Sequence, residues 1–328
     1  MEFRTGVSVE ESIKKISHSS GVMLVGSCFA SEMAGKMKEG LIPVLANPAG
    51  VVYNPGSVAL TLRNLITGKV YTEKDLWFHS NKWLSFAHYT DFSSDEKEKC
   101  LAGINNTSPA QEFLKKAEFL FVTFGTARIF RRADTGEIVS NCHKIPASFF
   151  TREVLTVDSI VKDWTLLINE LHEHNQELKV VFTISPVRHW KDGAHGNQVS
   201  KSVLFLAIEE LQKHPLQPAY FPSYEIVMDD LRDYRFYNSD MIHPSASAID
   251  YIWEKFCGAY FTEPTIKLWN EIASVTRASR HRFMGATEME KQEFIKGMLR
   301  KITLIESTNK DPDLTELKEY FTNLAGNH

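Results

Sequence analysis

The stretch VMLVGSCFASEMAGKM (22–37) joins an unbroken apolar run to a helical pattern through one Gly. Val22 to Val25 show no polar alternation, which predicts a strand buried on both faces. Phe29, Met33 and Met37 then repeat along one helix face. Ser27 and Cys28 therefore fall at a helix N-terminus. Unpaired N–H groups and the helix dipole favour negative charge there. A thiol so placed is expected to have its pKa lowered from about 8.5 toward neutrality. The same N–H groups can hold an oxyanion. The plain alternative is that Ser27 caps the helix and Cys28 is a small buried hydrophobe.

Other apolar runs, FLFVTF (119–124), VVFTIS (180–185) and EIVMDD (225–230), also read as buried strands. Helical periodicity separates them. Val157, Ile160, Val161, Trp164, Leu167, Ile168 and Leu171 share one face over 157–171. Val199, Val203, Leu206, Ala207 and Leu211 share another over 199–213. Ile249, Ile252 and Phe256 define a helix over 246–256, capped by Ser245 after Pro244. Alternating strands and helices predict an α/β fold: a three-layer α/β/α sandwich with a mainly parallel, flavodoxin-like sheet. Residues 1–264 form that domain, interrupted by an aromatic-rich insertion at about 50–118 with a short hairpin. Residues 265–328 read as a helical C-terminal extension of two or three charged amphipathic helices.

The chain has 328 residues, 43% hydrophobic and 24% charged, with net charge −4. Lys and Arg are dispersed, which argues against nucleic acid or an acidic membrane surface as partner. The N-terminal segment lacks the apolar core of a secretory signal, and no stretch is long enough for a membrane helix. A cytoplasmic location is expected, with Cys28, Cys100, Cys142 and Cys257 as free thiols.

Ligands of such sheets bind beyond the carboxyl ends of the strands, so chemistry is sought just after each apolar run. Asp240 and His243 lie in NSDMIHP (238–244), before the last core helix. A carboxylate three residues before a histidine can accept from Nδ1–H and leave Nε2 free as a general base. Thr123-Phe124-Gly125-Thr126 leaves the second run; Gly125 permits close backbone approach, and Thr126 can donate. Arg188 and His189, after the third run, can meet an anionic or polar substrate group. Asn141, Cys142 and His143 offer amide, thiol and imidazole groups. Surface turns and ordinary ion pairs are the plain readings of each.

Taken together, LVGSCFASEMAGKM, NPAGVVYNP (47–55), TFGTARIF (123–130), NCHKIP (141–146), SPVRHWKDG (185–193) and YFPSYEIVMDDLRDYRFYNSDMIHPS (220–245) resemble the GSCFA family, over about residues 20–260. That family is placed among the SGNH/GDSL-type hydrolases, so the resemblance implies their three-layer sandwich and acyl chemistry. In that superfamily a GDS serine is the nucleophile, a Gly and an Asn on later loops complete the oxyanion hole, and a DxxH completes the triad. Laid on this sequence, the pattern puts Cys28 at the nucleophile position and Ser27 at that of the Asp. Asp240 and His243 match the DxxH, and Gly50 matches the oxyanion Gly. The Asn is missing after Gly125, so Thr126, or Asn141 from elsewhere, is expected to replace it.

Acyl transfer or ester hydrolysis on a small-molecule or carbohydrate substrate, without cofactor, is the leading expectation. A non-catalytic binding module, with the insertion's aromatic residues stacking on a sugar, is the alternative from another class. A zinc site drawn from Cys28, Cys142, His143 and His243 is a third; it lacks a local ligand pair of suitable spacing, and no metal is expected.

Overall fold

The computed structural model describes residues 5–281, 283 and 287–326. Parts of the expected C-terminal helices, 282, 284–286 and 327–328, lie outside the described residues. In chain order the first elements are β1 (Val22–Gly26), α1 (Cys28–Glu39), β2 (Val44–Ala46), α2 (Pro55–Thr67), β3 (Trp77–His79), β4 (Lys82–Leu84), α3 (Lys97–Asn105), α4 (Ser108–Lys116) and β5 (Phe119–Phe124). Next come β6 (Arg128–Arg132), β7 (Ile138–Val139), β8 (Phe150–Val154), α5 (Val157–His174), β9 (Lys179–Ile184), α6 (Gly193–Leu211), β10 (Ala219–Phe221) and α7 (Ser223–Glu225). The last are α8 (Ala246–Tyr260), α9 (Glu263–Ser279), α10 (Glu288–Thr308) and α11 (Thr315–Gly326).

The central sheet has five parallel strands in the order β10-β9-β5-β1-β2. This is the flavodoxin-like order, with the first strand second from one edge. Side chains alternate between its faces as strand geometry requires. Val22, Leu24, Phe119, Phe121 and Val181 meet α1 and α8 on one side. Met23, Val25, Leu120, Val122, Phe124 and Phe182 meet α2, α4, α5 and α6 on the other. Trp164 anchors the second layer, its ring edge-on to Phe124 and Phe182 at 5.0 and 5.2 Å. The three-layer sandwich expected from the sequence is present.

Two local expectations are corrected, and one small sheet was not expected. EIVMDD is not a strand: β10 ends before Pro222, and 226–230 continues α7 as a π-helical turn. Tyr224, Val227 and Leu231 are all buried at helical spacing, a pattern a short apolar run can conceal. The face of α6 is also rotated from the expected one. Val199 and Leu206 are exposed, whereas Asn197, Ser200, Lys201, Leu204, Ile208 and Leu211 are buried. Finally, β6, β7 and β8 form an antiparallel sheet between β5 and α5 that the apolar runs do not announce.

The β3–β4 hairpin lies in the insertion, over a small cluster of Tyr71, Leu76, Cys100 and Ile104. Among the C-terminal helices, α9, α10 and α11 share their own core around Ile272, Ile302 and Phe321. Trp269 of α9 docks on α1, donating to the Lys36 carbonyl at 2.9 Å. Among the described residues, no helix is long and apolar enough to cross a membrane.

The insertion is expected to weaken first in acid. His88 is buried, its Nδ1 2.9 Å from Ser85 Oγ, with its ring against Tyr71 and Phe92. Burial, then the field of His143, pushes its pKa down to about 4 from 6.5. Unfolded chains therefore bind a proton that the folded chain refuses. His88's contribution is fully present above about pH 6.5 and is lost as the pH falls through 4. About 3 kcal/mol is at stake. Urea unfolding at pH 7.5 and pH 4 should show that loss, and His88→Gln should reduce the difference between the two.

Candidate active site

Gly26 sets the geometry of the first turn. Its φ is +143°, and a Cβ there would stand 2.1 Å from the Thr123 carbonyl oxygen. The chain consequently leaves β1 pressed against β5, and Ser27 N–H donates to that same oxygen at 3.2 Å. Asn47, itself at φ +48°, holds the other side by accepting from Gly26 N–H through Oδ1 at 2.8 Å.

Ser27 occupies the N-cap position of α1, but its side chain makes no capping bond. Among the described residues its buried hydroxyl has no hydrogen-bond partner, and the residue is 1% exposed. Cys28, the first residue of α1, is only half-buried. The expected depression of its pKa is not found. Burial pushes the thiol up, while the N–H groups of Phe29 and Cys28 and the charge of Lys201 pull it back; Glu32 adds to the rise. Desolvation outweighs the helix terminus.

The DxxH turn is built as the spacing suggests. Asp240 Oδ1 accepts from the backbone N–H groups of Ile242 and His243 at 2.9 and 3.0 Å. Its Oδ2 lies 2.6 Å from His243 Nδ1. These bonds, the backbone one from His243 foremost, hold the Asp240 pKa down to about 2. An ionised Asp240 can only accept, so Nδ1 carries the proton and Nε2 is left free. A bridge between Tyr237 and Pro244 pins the turn, and Ser245 caps α8 by accepting from Ala248 N–H.

Cys28 and the DxxH turn share one edge of the sheet. Phe261, just past α8, pairs with Ile16 ahead of β1, so the opposite end of α8 lies with the strands' carboxyl ends. Among the described residues, however, no hydrogen bond joins the Cys28 thiol to His243.

The expected oxyanion donors are already engaged. Segment 47–54 crosses the ends of β1 and β5. There the Tyr53 carbonyl accepts from Gly125 and Thr126 N–H at 2.7 and 3.0 Å. Gly50 N–H donates to the Asn47 carbonyl at 2.8 Å. Gly50 is nevertheless required by packing, since φ is +79° and a Cβ would meet Tyr89 at 2.2 Å. The Thr126 hydroxyl is buried against Ser200 Oγ at 2.9 Å. The N–H groups of Cys28 and Phe29, at the start of α1, act on the Cys28 sulfur.

Asn141 and His143 are not brought to Cys28. Asn141 Nδ2 donates to Thr90 Oγ1 at 3.0 Å, and His143 Nε2 pairs with the Ser85 carbonyl at 2.9 Å. Both tie their turn to the insertion. His189 packs edge-on against Tyr53 with centroids 5.5 Å apart. Its pKa is lowered by burial, then by the charge of Lys201. Tyr53 is pushed up to about 12 by burial, with the field of Cys28 adding to it. Arg188 has a buried Nε with no hydrogen-bond partner among the described residues. It lines a cleft of about 480 Å³ with Trp190, Tyr234, Tyr237 and Asp240. A larger cleft, about 810 Å³, is lined by Arg63, Arg131, Arg132 and Trp164, and neither cleft includes Cys28 or His243 in its lining. No three His, Cys, Asp or Glu side chains gather as a metal site among the described residues.

Lys201 was absent from the sequence-based candidates. It is 1% exposed, and its ammonium donates to the carbonyls of Gly125 at 2.8 Å and Ser185 at 2.7 Å. Burial pushes its pKa down to about 7, against which Cys28 acts and with which Arg188 acts. The available signal was its place on the stripe of Leu204, Ile208 and Leu211, one turn toward the start of α6.

Residues 21–256 match the model of the GSCFA family. A comparison with curated proteins finds no match. Among solved structures, the chain is similar to a GDSL-like lipase from Parabacteroides merdae, with 11% identity, a TM-score of 0.40, and 76% of this chain and 98% of that one covered. A carbohydrate esterase family 3 structure from Talaromyces cellulolyticus has 11% identity and a TM-score of 0.35, with coverages of 77% and 99%. An acetyl xylan esterase from the rumen bacterium Butyrivibrio proteoclasticus has 10% identity and a TM-score of 0.38, with coverages of 77% and 64%.

Gly26→Ala tests the turn on which the site depends. The strained φ and the approach to Thr123 O should together cost at least about 2–3 kcal/mol. Thermal unfolding should show the midpoint lowered by about 3–5 °C.

Proposed function

The chain belongs to the GSCFA family, and we propose that it is an acyl-transfer enzyme, an esterase/deacylase or O-acyltransferase, with Cys28 as nucleophile. The observation that carries this reading is the pairing, on one sheet edge, of a half-buried thiol at a helix N-terminus with a preformed Asp240–His243 dyad.

His243 Nε2 takes the thiol proton as Sγ attacks the acyl carbon. Negative charge moves to the carbonyl oxygen, where the N–H groups of Cys28 and Phe29 can meet it. The tetrahedral intermediate collapses, the C–O bond breaks, and His243 returns the proton to the departing hydroxyl. A thioester remains on Cys28. Water or a second hydroxyl then attacks it, with His243 again acting as base, and the thiol is regenerated. Asp240 keeps the imidazole in the working tautomer throughout. Among the described residues no hydrogen bond joins Cys28 to His243, so the proton step requires substrate binding to bring the two within reach. Arg188 meets a polar or anionic group of the substrate, and Trp190 and Tyr234 offer faces for a small-molecule or carbohydrate ring.

A non-catalytic small-molecule or carbohydrate-binding module is the second reading. It is favoured by the engagement of the Gly50, Gly125 and Thr126 amides within the protein. Turnover separates the two.

On a panel of aryl esters and acetylated sugars, Cys28→Ala should lower kcat/KM by at least about 10³-fold. His243→Ala should lower it by about 10²–10⁴-fold, and Ser27→Ala should stay within a few-fold of the parent. Turnover unchanged in both Cys28→Ala and His243→Ala would reject the mechanism. Retained ligand binding with no turnover on any acyl substrate would favour the binding module.

A further inference from the structure

The cleft beside the DxxH turn holds one charge that the protein leaves unpaired. Asp240, Met241 and Ile242 of that turn line it together with Arg188 and Trp190. Its charged lining is Arg188, Arg232, Asp233 and Asp240, two positive and two negative. Three of the four are committed. Asp240 is bonded to the His243 ring and to two backbone amides. Asp233 accepts from Arg235 N–H at 2.9 Å and lies 3.5 Å from its guanidinium. Arg232 donates to Asp229 at 2.9 Å. Arg188 is half-buried and its Nε is buried, yet among the described residues its side chain has neither an ion pair nor a hydrogen bond. Withdrawing such a donor from water costs free energy that no acceptor in the protein returns.

That guanidinium does not ride on a loose loop. On one side of it, Lys201 Nζ donates to the Ser185 carbonyl at 2.7 Å. On the other, His189 N–H donates to Asn197 Oδ1 at 2.9 Å, and the His189 ring packs on Tyr53. Asp192 closes the segment. Its side chain is fully buried between Arg128 of β6, 3.2 Å away, and Arg152 of β8. Two rings at the cleft stay open to solvent: Trp190 is 52% exposed and Tyr234 75%. Asp233 fixes the turn that carries Tyr234 by capping it. Groups held this firmly lose little further freedom when a ligand arrives.

We infer that this cleft receives the alcohol half of the substrate and that Arg188 pairs there with a carboxylate, so that the acylated compound is a sugar acid. Guanidinium and carboxylate match in plane and spacing. With two acids already in the lining, Arg188 balances a monoanion, whereas a phosphate dianion would bring a charge that nothing there meets. Trp190 and Tyr234 supply faces for the ring. The side of the substrate follows from the proton. His243 returns it to the departing hydroxyl, and His243 directly follows the three residues of the turn that line the cleft. The hydroxyl-bearing half therefore lies on this side. That placement rests on the reaction proposed above; the pairing of Arg188 with a carboxylate does not.

The test is calorimetric titration of the full chain with D-glucuronate, D-glucose and D-glucose 6-phosphate, which differ only at the sixth carbon. Glucuronate should bind at least about tenfold more tightly than glucose, and more tightly than the phosphate. Arg188→Gln should remove that preference. No glucuronate binding at millimolar concentration, equal binding of glucuronate and glucose, or a preference intact in folded Arg188→Gln overturns the inference. Tighter binding of the phosphate overturns it as well. Should Arg188→Gln fail to fold, Arg188→Lys decides. It keeps the charge and loses the planar fork, so the preference should fall several-fold, and an undiminished preference overturns the pairing. A kinetic arm separates this subsite from the reaction. In kcat/KM, O-acetylated glucuronate should be preferred over O-acetylated glucose by at least about tenfold. Turnover of neutral acetyl esters without that preference sinks the subsite and leaves the reaction standing. Glucuronate bound as expected, with no ester turned over, sinks the reaction and leaves the subsite standing.

Discussion

The contact between Gly26 and the Thr123 carbonyl is the constraint on which the site depends. A side chain at Gly26 would overlap that oxygen, and the backbone there occupies a region that favours glycine. With no Cβ in the way, β1 ends flush against β5 and α1 starts at once, its first N–H groups turned toward the Cys28 sulfur. Ser27 lies buried behind this turn, and Cys28 lies in front of it. The order of the two residues, together with the twist of the backbone, leaves the Cys28 side chain half-exposed and the Ser27 hydroxyl buried.

Much of this was legible in the sequence because β1 and α1 carry unambiguous signals. Four apolar residues in a row followed by a 3–4 residue repeat admit few folds. The same clarity marks α5 and α8, whose buried residues include most of those expected. EIVMDD misled because five or six residues are too few to separate a buried strand from a buried helical turn. For α6 the difficulty was different. Its inward stripe begins with Asn197, Ser200 and Lys201, so an apolar criterion selected the neighbouring face of Val199 and Leu206. Polar residues buried at a ligand-facing sheet edge are invisible to a rule that equates burial with hydrophobicity, and Lys201 was lost for that reason.

The oxyanion donors illustrate a second limit of motif reasoning. Gly50 and Gly125 occur where a family pattern places them, Thr126 stands where that pattern's Asn is missing, and both glycines have clear packing roles. Gly50 makes room for Tyr89, and Gly125 allows the Tyr53 carbonyl to approach. Their amides nevertheless hold segment 47–54 across the strand ends. A motif specifies which residue stands at a position; the partner of its N–H group depends on chain from elsewhere. Here the strap that forms the wall of the site also occupies those donors. Any oxyanion must therefore be met mainly at the N-terminus of α1.

Electrostatics then divide the labour along the edge. At Cys28 the positive end of α1 favours negative charge on sulfur, and the charge of Lys201 acts in the same direction. The nearest carboxylate with a recorded effect on the thiol, Glu32, works against ionisation. On the other side, the ionised Asp240 directs its charge into the His243 ring and two backbone amides rather than toward the thiol. One side of the edge is thus suited to hold an anion and the other to exchange a proton.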